Sequence, residues 1–197
     1  KDAEPVVFPA SPPYEKWAKD GVLRVKAYCD DDGGPWYSQV FIFRTRLGMQ
    51  IIKGSTLNPD EPVVFSKDIR GCAAGFKRLE VILAPRPKKG EEPSLFENMG
   101  DKDIDIIIYS GHAGYGQRVD AALRQGVQST GEGKLIMLFQ CWGAGNLDSI
   151  GRAFPEAQVF STVDSTTAWS DDRTIVETLT AFTQGKTWGE IISGLHW

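Results

Sequence analysis

Hydrophobic and polar positions along this chain form short segments that predict strands and helices in turn. Residues 21–28 and 78–85 alternate apolar and polar side chains with a period of two, which is typical of a β-strand. Residues 104–109 and 134–139 are apolar almost throughout, as expected for strands buried on both faces of a parallel sheet. About 20 residues separate these last two segments, enough for one crossover helix, so they are predicted to form a right-handed βαβ unit.

Helical patterns occupy the segments between and after these strands. The crossover segment 118–125 repeats apolar residues at helical spacing and is followed by Gly126, a residue that commonly ends helices. Residues 36–47 fit helical spacing and strand propensity alike. Further elements are predicted as three helices and one strand: 146–154, 172–184 and 187–195, and 157–163. This order of elements predicts an α/β fold with a mostly parallel central sheet flanked by helices.

The domain organisation follows from length and from the turn-forming residues. Residues 1–20 carry four prolines within the first 13 positions and predict an extended N-terminal arm. Residues 21–197 are predicted to form a single domain, because a chain of 197 residues buries one sizeable core. Within that domain, residues 49–70 place short apolar pieces between turn signals, which indicates a β-rich excursion.

Composition and charge exclude several classes of protein. A net charge of −4 and a pI near 5.3 argue against a nucleic-acid-binding surface, which needs clustered positive charge. No apolar run approaches the roughly 18 residues of a membrane span. An N-terminal address is not visible in the sequence, so a secreted or periplasmic location and a cytoplasmic one are both open.

The chemistry-bearing residues concentrate at the ends of the two buried strands. The first strand ends in Ser110-Gly111-His112, and the second ends in Gln140-Cys141. In a parallel βαβ unit both ends lie at the carboxyl edge of the sheet, where α/β proteins place their chemistry. An imidazole beside a thiol there forms a base and a nucleophile, which predicts His112 and Cys141 as catalytic residues.

Metal and disulfide chemistry are weaker interpretations of the remaining residues. Two histidines and no Cys-x-x-Cys pair make a zinc site improbable, and no cofactor is predicted. The turn Asp30-Asp31-Asp32 favours a solvated acidic loop, with a calcium site as the alternative. Three cysteines favour reduced thiols, with a Cys29–Cys72 disulfide in an oxidising compartment as the alternative.

An apolar strand ending in Ser-Gly-His, followed by an apolar strand ending in Cys, resembles the caspase-like (clan CD) cysteine peptidases. The separation of 29 positions between His112 and Cys141 is nearest to the gingipain-like members, and the resemblance covers about residues 75–195. It implies a three-layer caspase-like (flavodoxin-like) fold and a His112–Cys141 dyad without a required third residue. Two positions depart from the family pattern, because Ala113 replaces a glycine and Gln140 replaces a small residue.

The remaining site assignments build on this resemblance. The backbone amides of Cys141 and of Ala113 or Gly114 are assigned to an oxyanion hole. Substrate-binding roles are assigned to Gln140, beside the nucleophile, and to two residues of the loop after the last strand: Asp164 and Trp169. An acidic floor in this pocket would select Lys or Arg before the cleaved bond.

The sequence therefore predicts a hydrolase, a thiol protease that cleaves protein or peptide substrates through a Cys–His dyad. A first alternative is a binding or scaffold domain of the same fold without catalysis, which the departures at Ala113 and Gln140 motivate. A second alternative is a flavodoxin-like phosphate or nucleotide binder that uses the glycine-containing segment 110–116.

Overall fold

A seven-stranded sheet runs through the computed structural model, which describes residues 9–31, 34–114, 117–126 and 128–195. The strands lie in the order β2-β3-β4-β1-β5-β6-β7 across the sheet. Their bounds along the chain are β1 (Val22–Cys29), β2 (Gln50–Lys53), β3 (Val63–Asp68), β4 (Arg78–Leu83), β5 (Ile106–Ser110), β6 (Leu135–Phe139) and β7 (Gln158–Ser161).

Most of the sheet is parallel. Strand β1 pairs in parallel with β4 on one side and β5 on the other, and β6 and β7 extend the parallel part beyond β5. Strand β3 is antiparallel to β4, and β2 is antiparallel to β3. The segment predicted as a β-rich excursion thus contributes β2 and β3 to one edge of the same sheet. Because β4 and β5 lie on opposite sides of β1, the direction of winding reverses between β1 and β5.

Helices cover both faces of this sheet. Alternate side chains of β5 point to opposite faces. Ile106 and Ile108 join the core with the helices Gly34–Phe41 and Ala168–Thr183, whereas Ile107 and Tyr109 join the core with the helices Gln117–Arg124 and Leu147–Ala153. This arrangement confirms the predicted α/β class with a mostly parallel sheet and flanking helices. The α-helices are α1 (Tyr14–Trp17), α2 (Gly34–Phe41), α3 (Gln117–Arg124), α4 (Leu147–Ala153), α5 (Ala168–Thr183) and α6 (Trp188–Gly194).

Some of the described segments have less regular helical geometry. Helix α2 continues as a π-helix over Ile42–Arg46, so the ambiguous segment 36–47 is helical. Short 3₁₀-helices precede β1 at Ala18–Asp20 and precede α4 at Gly143–Asn146. Among the described residues, no helix combines the length and the apolar character needed to cross a membrane.

The N-terminal segment requires a correction. Residues 1–8 lie outside the described part, but α1 and the following 3₁₀-helix show that residues 14–20 are helical and not an extended arm. Trp17 is buried at 2% exposure, donates from Nε1 to the carbonyl of Gly133 at 2.6 Å, and packs edge-on against Phe182. Burial of the indole therefore holds this segment against the core.

The three cysteines are free thiols. Cys29 is buried at the carboxyl end of β1, while Cys72 and Cys141 are partly exposed. The interpretation with reduced thiols therefore describes this structure, and the Cys29–Cys72 pairing does not.

Candidate active site

Three parallel strands end side by side where the candidate site lies. Cys29 of β1 is in register with Ser110 of β5, and Ser110 is in register with Phe139 of β6. The chain therefore leaves the sheet at neighbouring points, and Asp30, His112 and Cys141 follow within two residues of those strand ends. The winding reversal between β1 and β5 opens a crevice at this edge, which is where doubly wound sheets bind ligands.

His112 and Cys141 line a single open groove at this edge. The imidazole side chain is 70% exposed, and the thiol belongs to a partly exposed residue, so solvent and a ligand can reach both. Ala113 and Gly114, which were predicted with Cys141 as oxyanion residues, line the same groove. The full lining is His112, Ala113, Gly114, Asp120, Cys141, Trp142, Gly145 and Asn146.

Asp30 is a member of the site that the sequence interpretation missed as a partner of His112. Its side chain is 0% exposed, and Oδ2 accepts a hydrogen bond from the backbone N–H of His112 at 2.6 Å. The same oxygen lies 4.0 Å from His112 Nε2. A Cβ added at Gly111 would lie 2.9 Å from the Asp30 carboxyl, so only glycine leaves room for this carboxylate. The one available sequence signal was position, since Asp30 directly follows a strand parallel to β5.

The next aspartate in the acidic turn serves a different purpose. Asp31 accepts hydrogen bonds from the backbone N–H of Gly90 at 2.8 Å and from Arg118 at 3.1 Å. These contacts lower the pKa of the Asp31 carboxyl, the Gly90 amide contributing most. Arg118 also pairs with Glu92 at 3.2 Å, so one guanidinium on α3 connects two loops at the sheet edge.

The calcium alternative placed a bound cation beside the acidic turn. In the structure, the guanidinium of Arg118 provides the positive charge beside Asp31. Within the described part of the chain, no group of three His, Cys, Asp or Glu side chains is arranged to hold a metal ion. Asp32, the third residue of the acidic turn, lies outside the described residues.

Cys141 occupies a tight turn between β6 and the 3₁₀-helix that leads into α4. Its thiol donates to the carbonyl of Thr166, with 3.7 Å between Sγ and O. The following residue, Trp142, has φ 51° and ψ 37°, a left-handed conformation. Its N–H donates to the carbonyl of Asp164 at 3.0 Å. The loop after β7 therefore supports the turn that carries the thiol.

A buried carboxyl stabilises this supporting loop from below. Asp171 is 5% exposed and accepts a hydrogen bond from the hydroxyl of Thr166, the residue whose carbonyl contacts the thiol. Burial raises the pKa of Asp171 to about 6, and the negative charge of Asp172 adds to the increase.

Two residues of the groove have backbone N–H groups without an acceptor in the described part of the chain. Among the described residues, nothing accepts a hydrogen bond from the N–H of Ala113 or of Cys141. Ala113 and Cys141 line the groove together. Unpaired amides beside a nucleophile can hydrogen-bond the negative oxygen of a tetrahedral adduct.

Gln140 requires a correction, because its side chain has no path to a substrate. The residue is 0% exposed, and its Nε2 donates to Asn146 Oδ1 at 2.9 Å beneath the groove. Its carbonyl accepts a hydrogen bond from the hydroxyl of Thr162. Successive side chains at the end of a strand point in opposite directions, so a thiol that faces the groove sends Gln140 inward.

The predicted contributions of Asp164 and Trp169 to the groove also require correction. Asp164 contacts the Cys141 turn through its backbone carbonyl, while its carboxylate accepts from the N–H of Ser165 at 2.6 Å. Trp169 is 71% exposed and lines a second groove with Phe41 and Arg173. The physical reason is that α5 begins at Ala168, four residues earlier than predicted, and its first turn directs Trp169 away from Cys141.

The groove is lined by the carboxylate residue Asp120 and not by Asp164. Asp120 lies in the first turn of α3 and lines the same wall as His112. The sequence analysis predicted this helix but assigned no function to its acidic residue.

The comparisons with known proteins do not assign the chain to a family. The scan against family models and the search of curated proteins each found no match. The class of protein is therefore defined by the fold and the site: an α/β protein with a thiol and an imidazole in one groove at the carboxyl edge of its parallel strands.

Proposed function

We propose that this protein is a cysteine endopeptidase of caspase-like fold with His112 and Cys141 as its catalytic dyad. The observation that carries the proposal is that both side chains line one open groove at the carboxyl edge of the sheet. The strand order β4-β1-β5-β6-β7 supports it, because it is the order of flavodoxin-like doubly wound sheets. The caspase-like resemblance implies the same order.

The chemistry divides into two steps. His112 removes the proton from Cys141, and the thiolate attacks the peptide carbonyl, whose oxygen becomes negatively charged. The free N–H groups of Ala113 and Cys141 are suited to bind that oxygen. The C–N bond then breaks, and the amine leaves with the proton from His112. Water, deprotonated by His112, hydrolyses the thioester and regenerates the thiol.

Asp30 acts as a positioning residue for the base. Its buried carboxylate fixes the backbone of His112 and lies 4.0 Å from the imidazole, where a negative charge stabilises the imidazolium that forms during attack. The imidazole is largely exposed and would otherwise move freely. The contact with Asp30 limits the positions that it takes.

Asp120 supports the proposed preference for a basic residue in the substrate. A carboxylate on the wall of a groove attracts lysine or arginine through a charge-assisted hydrogen bond. This role was assigned to the loop around Asp164, and we now propose it for Asp120.

The proposal is tested by peptide turnover and by thiol alkylation. A mixture of unstructured peptides should be cleaved by the wild-type protein, and cleavage should disappear in Cys141→Ala and in His112→Ala. Iodoacetamide at neutral pH should modify Cys141 faster than Cys72, the matched thiol outside the groove, because Cys141 shares its groove with His112. Equal rates for the two thiols, or cleavage that survives in Cys141→Ala, would contradict the proposal.

The same experiment also tests the non-catalytic alternative, which is motivated by Ala113 in place of the family's glycine. Peptide binding without cleavage in the wild-type protein would favour a binding domain that uses the same groove. The nucleotide alternative has less support, because Ser110, at the start of the glycine-containing segment, is 2% exposed. Positions 115 and 116 of that segment lie outside the described residues.

A further inference from the structure

Trp142, the residue after the candidate nucleophile, combines two unusual properties. Its φ of 51° makes it the one non-glycine residue with a left-handed backbone in the described part of the chain. Its side chain is 58% exposed, although large aromatic side chains generally gain stability by burial. A bulky residue in this conformation is strained, and the strain must be offset by some other contribution.

The fold itself does not use the indole of Trp142. The N–H and carbonyl of this residue bond to Asp164 at 3.0 Å and to the N–H of Gly145 at 2.9 Å, contacts that glycine would make equally well. Among the described residues, the indole has neither a ring partner nor a hydrogen-bond partner. It lines the groove that holds Cys141.

The loop that pairs with the Cys141 turn carries a second exposed apolar side chain. Val163 is 81% exposed in the loop after β7. The residues on either side of it, Thr162 and Asp164, accept hydrogen bonds from the N–H groups of Ala144 and Trp142 at 2.8 and 3.0 Å. Val163 therefore belongs to the part of the loop after β7 that runs beside the Cys141 turn. We call Trp142 and Val163 the apolar rim.

We propose that the apolar rim binds a large apolar side chain of the molecule that reacts with Cys141, such as leucine or phenylalanine. The proposal rests on the proposed function, because it takes a peptide as the occupant. A peptide is the expected occupant because Trp142 directly follows the nucleophile and lines the same groove. A peptide bound at Cys141 therefore passes the rim. Contact with the substrate would remove apolar surface from water on both partners, which explains why an exposed tryptophan is present in a strained position.

The experiment compares two alkylating reagents with the same iodoacetyl electrophile. One carries leucine amide and the other carries asparagine amide, which has a similar shape but a polar end. Wild-type Cys141 should react about tenfold faster with the leucine reagent, in line with the discrimination that a single apolar pocket provides. In Trp142→Gly this preference should fall to about twofold or less. The rate with plain iodoacetamide, which does not extend to the rim, is measured for each protein and serves as the reference to which the other two rates are normalised.

Two further variants keep the test specific. Trp169→Ala removes a more exposed indole, at 71%, from the second groove and should retain the wild-type preference. Trp142→Asn also tolerates a left-handed backbone and should repeat the loss of preference if the glycine variant proves unstable. A thermal unfolding curve for each variant checks that the fold is intact.

The outcomes separate this inference from the proposed function. A leucine preference that persists in Trp142→Gly, or equal rates for the two reagents in the wild-type protein, would overturn the apolar rim even if peptides are cleaved. A leucine preference that depends on Trp142 in a protein that cleaves no peptide would support the rim and overturn the peptidase proposal.

Discussion

At the scale of single residues, the candidate site depends on the buried carboxylate of Asp30, which fills the space that a side chain at residue 111 would need. Asp30 occupies the volume where a Cβ of residue 111 would lie, with 2.9 Å between that Cβ and the carboxyl group. The carboxylate in turn accepts a hydrogen bond from the backbone N–H of His112. Gly111, Asp30 and His112 therefore form one unit, in which the absence of a side chain is as important as the charge.

We expect Gly111→Ala to lower the free energy of unfolding by about 1–3 kcal/mol, since the new methyl group overlaps a fixed carboxylate. Urea denaturation measures this change. Gly145→Ala is the matched control, because a Cβ there meets nothing within 4 Å. An equal loss in both variants would show that the contact with Asp30 is not the cause.

We expect Asp30→Asn to reduce the rate of peptide cleavage on the order of a hundredfold, at the lower end of what general-base catalysis contributes. The amide oxygen can still accept the hydrogen bond from His112, but the negative charge near the imidazole is removed. The measurement is kcat/KM, accompanied by the alkylation rate of Cys141. Asp31→Asn, which changes an acid bound to Arg118, should have a much smaller effect on both rates.

At the scale of elements, the beginning of α5 determines which residues of the loop after β7 reach the site. The hydroxyl of Thr167 caps this helix by accepting a hydrogen bond from the N–H of Ser170 at 3.3 Å. The hydroxyl of Ser170 in turn accepts a hydrogen bond from the N–H of Thr167 at 3.1 Å. This capping box starts the helix at Ala168 and leaves Thr166 beside Cys141. The prediction of a later start was wrong because the threonines and serine were interpreted as loop residues.

We expect Thr167→Ala to lower the free energy of unfolding by about 1 kcal/mol, because the Ser170 N–H in the first turn loses its side-chain acceptor. Chemical denaturation gives the value. Thr183→Ala at the other end of α5 is the control, since its exposed hydroxyl bonds only to the carbonyl of Thr180 within the helix. A cost no larger than that of the control would show that the cap is unimportant.

At the scale of the whole molecule, the edge of the sheet opposite the site carries a buried ionisable group. Asp105 precedes β5, is 8% exposed, and accepts a hydrogen bond from the N–H of Arg24 at 2.9 Å. Burial raises its pKa to about 7, although the Arg24 amide and the positive charges of Lys134 and Arg24 oppose the increase. Lys134 lies at the same edge and donates to the carbonyls of Asp101 and Ile104.

This carboxyl makes the stability of the protein depend on pH. An acid whose pKa is higher in the folded state contributes stability below its unfolded pKa of 3.8, and loses that contribution as the pH rises through about 7. We expect the free energy of unfolding to decrease between pH 4 and 7 by on the order of a few kcal/mol from this group. Asp171, with a pKa of about 6, acts in the same direction.

Denaturation curves across this pH range test the expectation in Asp105→Asn, which keeps an oxygen for the Arg24 N–H but cannot ionise. The variant should show a smaller decrease with pH than the wild-type protein. The exposed Asp148→Asn should retain the wild-type slope. An unchanged slope in Asp105→Asn would mean that other groups cause the dependence.

The sequence by itself determined the elements whose signal is local. The uninterrupted apolar runs before His112 and Cys141 predicted two strands buried on both faces, and β5 and β6 are buried at every position. Because the carboxyl ends of parallel strands meet at one edge, the same pattern predicted that these two side chains lie close together. The groove that contains both of them agrees with that prediction.

Only the tertiary structure decided what surrounds this pair. Asp30 and His112 are 82 positions apart, and their contact depends on β1 pairing with β5 rather than on any spacing in the chain. The burial of Gln140, the outward position of Trp169 and the presence of Asp120 in the groove likewise depend on how loops pack after the sheet has formed. Hydrophobic periodicity records which side of an element is buried, but it contains no information about which other element covers it.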